Sequence, residues 1–350
     1  VKSAIEARSD AALQVGFAGL LLEAVQGRHP AHGFVILGDG SRFWFETDWI
    51  RRSLEDSLER VEAIAGGGGG TFPFFSRHCG RCRWRDACLP GLIERKDASL
   101  VWGLTRTRRS VFGRHGIVSV GDLAGADAAA LRKAGAPTDG LDRLKRQARA
   151  LLEGKPVRLR TVDLPEGQRR EHYLRIETDP LDPGDAFLVA WGSGEPGGGP
   201  LAGAGAALGG GPSERGSAFR SLAAALGGGR EPVFHFGRPT ARALDALGRE
   251  ARVEPAVLGA LEGRLVDLAP AVRNAAALPV RLYRFEEVAA FAAARPLPEP
   301  GAPDDALFVD FALLRDSSDP DPLRARLLAA GRDAVESLRE VRRFLAGRRR

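Results

Sequence analysis

From His172 to Ala346 the sequence alternates short apolar runs with longer amphipathic stretches, and that alternation limits the folds open to the chain. The runs "HYLRIE", "AFLVAW", "PVFHF" and "RLVDL" read as strands, while 213–226, 239–250 and 321–346 read as helices. Strands interleaved with helices predict a mixed sheet covered by helices, because each element must bury one face against another. The glycine-rich insert at 192–212 reads as a low-complexity loop. It is not a phosphate loop, since neither GK[ST] nor a strand, G-x-G-x-x-G, helix context is present.

The first hundred residues have a different texture. Residues 9 to 27 read as a helix capped by Ser9 or Asp10, with Leu13, Phe17, Leu20, Leu21 and Ala24 on one face. Two apolar runs, "GFVIL" and "RFWFE", joined by "GDGS", predict a hairpin, because glycine supplies the positive φ of a tight turn. A charged helix follows over 48 to 64, and "GGGGG" at 66–70 then breaks all periodicity. From Ser99 to Glu153 the pattern is helical with short glycine turns.

All three cysteines, Cys79, Cys82 and Cys88, fall in "RHCGRCRWRDACLP". A disulfide framework needs an even number spread over distance, whereas C-x2-C-x5-C brings three sulfurs within reach of one ion or cluster. A tetrahedral zinc or a cubane cluster wants four ligands, so the set is one short. His78 is a further zinc ligand to weigh, although adjacent residues seldom both reach one ion; three unliganded thiols are the plain alternative.

The net charge of +6 is carried mostly by arginine, which pairs with phosphate through a planar fork and makes nucleic acid, DNA before RNA, the natural partner. A coding bias that replaces lysine by arginine accounts for the same composition. The turn "RHGI" resembles a helix-hairpin-helix, in which Gly116 lets backbone N–H groups approach a phosphate while Arg106, Arg108, Arg109 and Arg114 supply charge. The competing reading is a helical linker whose Leu104, Val111, Phe112, Ile117 and Leu123 fill a small core. No apolar run approaches a membrane span and no signal-peptide pattern opens the chain, so the expectation is a cytoplasmic protein with no membrane partner. The chain holds no methionine and opens in mid-pattern with "VKSAIEARSD", which reads as a fragment; a rare start codon read as Val is the other explanation.

Taken in order, "VKSA", "LQVGFAGLLLEAVQG", the "GFVILGDGSRFWF" hairpin, "HCGRCRWRDAC" and "ASLVWGLTRTRRSVFGRHGIVSVGDLA" resemble the RecB-like nucleases of the PD-(D/E)xK class that carry an RNase H-like domain behind them. The resemblance implies an α/β protein of three parts: a truncated nuclease-like domain over 1–98, a helix-hairpin-helix-like segment over 99–154 and an RNase H-like mixed-sheet domain over 170–347. It implies phosphodiester hydrolysis with Mg2+ or Mn2+, in which Lys2 orients the attacking water and acids upstream of Val1 hold the metal. Gln14 matches the family glutamine on the following helix, but the aromatic expected four residues on is Ala18, with Phe17 one position early. Cys79, Cys82 and Cys88 match three of the four ligands of a 4Fe-4S cluster, with zinc as the alternative and the fourth cysteine upstream. A helicase module in the same polypeptide or complex is a further partner the family implies.

The second half resembles a DnaQ-type RNase H-like domain, which opens its sheet with D-x-E. Two carboxylates at i and i+2 share one strand face and so can hold paired Mg2+ ions. Here the strand reads "LRIETDP", with Arg175 in place of the first acid and Glu177 retained. Thr240 and Ala241 stand where another acid is expected, and Asp333 lacks the preceding Tyr or His. The resemblance therefore implies that Glu177 and Asp333 are vestigial. Three readings follow: a metal-dependent DNA nuclease with a degenerate exonuclease half, a catalytically inactive nucleic-acid-binding scaffold, and a zinc-binding interaction protein.

Overall fold

A computed structural model describes residues 3–4, 9–37, 40–68, 71–167, 169–180, 184–196, 201–227, 229–237, 239–302 and 306–347. The chain divides into two compact units, one carrying the elements up to Phe72 and the other those from Pro73 onward. The first holds β1 (Ser3–Ala4), α1 (Ser9–Gln26), β2 (His32–Leu37), β3 (Arg42–Glu46) and α2 (Thr47–Ala65). Its sheet runs β1-β2-β3, with β1 parallel to β2 and the hairpin pairing Phe34 with Trp44. Gly40 closes the hairpin at φ +80°, where an L side chain is strained.

The buried face of α1 is only partly the expected one: Leu13 packs against the core and Leu20 is half-buried, but the rest of that face turns outward. Ala11, Ala12, Gly16 and Gly19 are buried, whereas Phe17 and Leu21 are 43% and 54% exposed. The cause is close helix packing: a Cβ on Gly16 would stand 2.7 Å from Cγ2 of Ile50 on α2. Only small residues fit at that separation, so the larger ones turn outward.

The second unit begins with a 3-10 turn at Arg77–Arg81, then α3 (Arg85–Glu94), a 3-10 turn at Ala98–Leu100, α4 (Arg106–Gly113), α5 (Val120–Gly125), α6 (Ala128–Lys133) and α7 (Leu141–Glu153). Phe75, Leu89 and Leu92 share one core with Phe112, Leu123, Leu141 and Ala148. The cysteine segment thus packs with the helical middle, across the boundary that the sequence places at residue 98. Leu104, Phe112, Ile117 and Leu123 are buried there as a small core requires, and Val111 packs against it.

Next come β4 (Val157–Arg158), β5 (Glu171–Thr178), β6 (Ala186–Gly194), β7 (Ala202–Leu208), α8 (Pro212–Leu226), β8 (Val233–His235), α9 (Pro239–Glu250), α10 (Pro255–Glu262) and β9 (Leu265–Asp267). The chain then forms α11 (Leu268–Ala275), β10 (Ala276–Ala277), α12 (Phe285–Ala292), α13 (Ala306–Asp316) and α14 (Asp321–Ala346). Five strands form a mixed sheet in the order β7-β6-β5-β8-β9. In it β6 is antiparallel to both neighbours, while β5, β8 and β9 run parallel. The mixed α/β expectation is met, with one correction: the glycine-rich insert contains β7, an edge strand rather than loop throughout. Glycine serves there because a Cβ on Gly205 would lie 2.7 Å from the Trp191 ring of β6.

Alternation along β5 sorts its side chains onto two faces. Leu174 and Ile176 pack with Phe219 and Leu222 of α8 and Leu244 and Leu247 of α9. Tyr173 joins α11, α12 and α14 through Val272, Val288 and Val335, and Arg175 and Glu177 follow it on that face. The helical middle is tied to the segment between β10 and α12 by a buried polar network. Gln147 of α7 donates to the carbonyls of Leu278 (2.7 Å) and Val280 (3.1 Å), and Tyr283 Oη donates to Gln147 Oε1 at 2.9 Å. β4 adds a short antiparallel pairing with β10. Among the described residues no helix is long and apolar enough to cross a membrane.

His172 on β5 is 5% exposed, with Nδ1 2.6 Å from Ser193 Oγ. Burial, aided by the charge of Arg264, pushes its pKa from 6.5 down to about 4. Because the unfolded chain binds the proton first, the contribution is whole above pH 6.5 and is lost as pH falls toward 4. Urea unfolding of the wild type and of His172→Gln checks this. The wild type should lose roughly 3 kcal/mol relative to the variant between pH 7 and pH 4, at about 1.36 kcal/mol per pH unit.

Candidate functional site

The face of β5 that carries Arg175 and Glu177 opens into a cavity of about 430 Å³. Its walls come from Phe285 and Glu286 of α12, Arg295 after that helix, and Asp333 and Ser337 of α14. The two acids marked by the sequence, Glu177 and Asp333, therefore line one cavity although they lie far apart in the chain. Each already faces a guanidinium. Arg175 Nε donates to Glu177 Oε1 at 2.6 Å, and its Nη2 lies 3.5 Å from Glu286 Oε1. Arg295 Nη1 spans both oxygens of Asp333, at 3.2 and 3.1 Å, and its Nη2 donates to Ser337 Oγ at 2.5 Å.

Arg175 is fixed in this place. Its guanidinium lies 4.3 Å from the centroid of the Phe285 ring, a cation–π stack that dispersion and the ring quadrupole both favour. Burial works against its charge, but Glu177 and Glu286 outweigh burial and hold its pKa above the ordinary arginine value. A two-metal site needs free carboxylate oxygens around a vacant position. Here each of these carboxylates already meets a guanidinium, so the donor set as arranged does not fit Mg2+ or Mn2+.

Glu286 and Arg295 are the members of this cavity that the sequence does not announce. Neither belongs to a spacing motif, and only the packing of α12 beside β5 brings them in. Thr240 is buried at the start of α9. Nearby, Asp267 at the end of β9 accepts from the N–H groups of Gly237 (2.8 Å) and Ala269 (2.9 Å), which commits it to a loop and a helix cap.

In the turn after α4, Gly116 has φ +78° and Arg106 and Arg114 are exposed. Arg109, expected among the phosphate contacts, is 8% exposed and forks onto Asp97, with Nε and Nη2 at 3.3 and 2.9 Å. Burial tends to raise the Asp97 pKa, but the Arg109 and Ser99 hydrogen bonds prevail and lower it. Arg108 stacks 5.2 Å from the Phe112 centroid, with Nε and Nη2 buried and without hydrogen-bond partners.

The backbone donors of this turn are already used. His115 and Ile117 donate to Phe112 O, and Gly116 to Gly113 O. The N–H groups of Val118 and Ser119 donate to Asp122 Oδ2 at 3.1 and 2.8 Å. The Asp122 carboxylate sits where an anion would bind the start of α5, and these bonds, the Ser119 hydroxyl first, lower its pKa. What the turn offers a phosphate is side-chain charge alone.

Cys79 lies in the Arg77–Arg81 turn with Sγ accepting from Ser76 N–H at 3.3 Å, Cys82 caps that turn, and Cys88 stands in α3. None forms a disulfide. Among the described residues no three His, Cys, Asp or Glu side chains form a group able to hold a metal ion, the three thiols included. Lys2 lies outside the described residues, and Gln14 is exposed on α1. Comparison with family models, with curated proteins and with solved structures finds no match.

Removing Arg109 takes the forked partner from Asp97 and leaves it the exposed Arg95 at 3.5 Å and the Ser99 N–H at 2.8 Å. The variant Arg109→Ala is expected to lose about 1.5–3 kcal/mol of unfolding free energy, read from urea denaturation. A loss under about 1 kcal/mol is what a solvent-exposed arginine would give.

Proposed function

We propose that this chain is a nucleic-acid-binding protein whose C-terminal half is an RNase H-like domain that no longer cleaves. One observation carries the reading: on the central strand the i, i+2 acid pair is replaced by Arg175 and Glu177, bonded to each other at 2.6 Å. The sheet supports it, since its first strand is central, antiparallel to the second and parallel to β8 and β9. The converging acid on the final helix supports it too, because Asp333 lines the same cavity. With Arg295 across Asp333, both remaining acids are neutralised in place. Binding then rests on phosphate contacts by arginine, which are blind to base sequence.

A second reading, a RecB-like metal-dependent nuclease acting through the N-terminal unit, is favoured by the element order there. A strand at Ser3–Ala4, directly after Lys2, is followed by the helix that carries Gln14 and then by the hairpin, as the resemblance implies. In that reading Cys79, Cys82 and Cys88 would be three ligands of an iron–sulfur cluster or zinc. Metal analysis and absorbance near 400 nm after anaerobic purification test that part.

The main proposal is tested with fluorescein-labelled DNA. Anisotropy should show binding whose log K falls linearly with log salt concentration, and the DNA should remain intact with Mg2+ or Mn2+. Cleavage that Glu177→Gln abolishes would overturn the inactive assignment. Absence of binding at low salt would overturn the nucleic-acid assignment.

A further inference from the structure

Beside the Gln147 network lies a second cavity, of about 260 Å³, whose lining includes Arg143, Arg146, Arg160 and Arg273 together with Asp142 and Asn274. Three elements supply it. Arg143 and Arg146 lie three apart on α7 and share a helix face. Arg160 follows β4, where the N–H of Leu159 donates to Ala275 O at 2.9 Å and sets that segment against the end of α11. Arg273 and Asn274 belong to the last turn of α11.

One of these cations has a structural task. Arg143 Nη2 donates to the carbonyl of Arg273 at 3.1 Å, and its guanidinium lies 5.2 Å from the Trp102 centroid. A helix C-terminus leaves carbonyls that a cation satisfies. One guanidinium meets that need, yet four are present. Arg146, Arg160 and Arg273 form no ion pair among the described residues, and neither does Asp142, the one acid of the lining. Like charges gathered around a concave surface repel one another unless an anion enters, and a concave surface of one sign draws anions in.

The scaffold beneath is stiff. Gln147, next to Arg146, is 2% exposed, and its amide is held by two backbone carbonyls and Tyr283. The arginines are thus presented from a fixed helix face rather than a free loop. Guanidinium forks match phosphate oxygens in pairs.

We propose that this cavity is a phosphate-binding site, with Arg146, Arg160 and Arg273 as its ligand-facing cations and Arg143 as the residue that positions α11. The class of ligand is a phosphate group, borne either by a nucleic-acid backbone or by a small phosphorylated molecule. The site lies apart from the α4–α5 turn that the sequence singles out. It deepens the nucleic-acid reading without depending on it.

The experiment uses the full chain and the double variant Arg146→Ala, Arg160→Ala, chosen because neither side chain makes a hydrogen bond or ion pair among the described residues. Arg230→Ala, Arg242→Ala, at two exposed arginines elsewhere, is the charge-matched control. Probes are a labelled 20-nucleotide single-stranded DNA, read by anisotropy, and pyrophosphate, read by calorimetry and thermal shift. If the backbone is the ligand, the double variant binds the DNA at least tenfold more weakly than the control, and its salt slope falls by about 1.4, two contacts at about 0.7 each on a single strand. If a small phosphorylated molecule is the ligand, pyrophosphate raises the melting temperature of the wild type and control but not of the double variant. Equal behaviour of double variant and control toward both probes overturns the site. Should DNA bind both equally and pyrophosphate also fail to separate them, the site fails while the nucleic-acid reading stands. Should pyrophosphate separate them while neither binds DNA, the site stands and that reading fails.

Discussion

The arrangement of the C-terminal half turns on Arg175, a half-buried guanidinium on the central strand of a five-stranded sheet. It is 13% exposed, stacked on Phe285, bonded to Glu177 and faced by Glu286. A charge at that depth persists only with partners, since desolvation of an unpaired ion costs several kcal/mol. Its partners are the acids that would otherwise be open to a metal. The pairing joins α12 to β5 through Phe285 and Glu286, and it occupies the Glu177 carboxylate. Arg295 meets Asp333 in a more exposed pair on the same cavity.

The arginines fall into distinct groups by what they face. Arg109 and Arg342 are buried against Asp97 and Glu171, and half-buried Arg175 lies against Glu177; all three act as internal partners of acids. Arg146, Arg160 and Arg273 face a cavity rather than a carboxylate. A coding bias toward arginine explains the number of such residues but not their sorting into paired and convergent sets. Charge counted over the whole chain cannot separate them, because the two sets are identical in composition and differ only in the elements that fold beside them.

Much of the framework was legible in the sequence. The alternation of "HYLRIE", "AFLVAW", "PVFHF" and "RLVDL" with amphipathic stretches follows from the burial of sheet and helix faces, and those elements form where the periodicity places them. Two of the readings that failed share a cause in small residues, while Arg109 failed as a phosphate contact because it folds onto buried Asp97. On α1, glycine and alanine took the inner face because Ile50 leaves no room for more, and Phe17 and Leu21 turned outward. In the insert, "AGAGAAL" looked like loop because glycine is poor in strands, yet Trp191 requires a neighbour without a side chain. At the candidate site, Glu177 and Asp333 were legible as acids at motif positions. Glu286, Arg295 and the arginine cavity were not, since long-range packing alone assembles them.

The central claim is that guanidiniums hold the positions a divalent cation would need. Electron paramagnetic resonance of free Mn2+ during titration of the protein, compared with the variant Glu177→Gln, Asp333→Asn, addresses it directly. The account predicts the same free-ion signal for both proteins at every step. Stoichiometric loss of that signal in the wild type, restored in the variant, would contradict it.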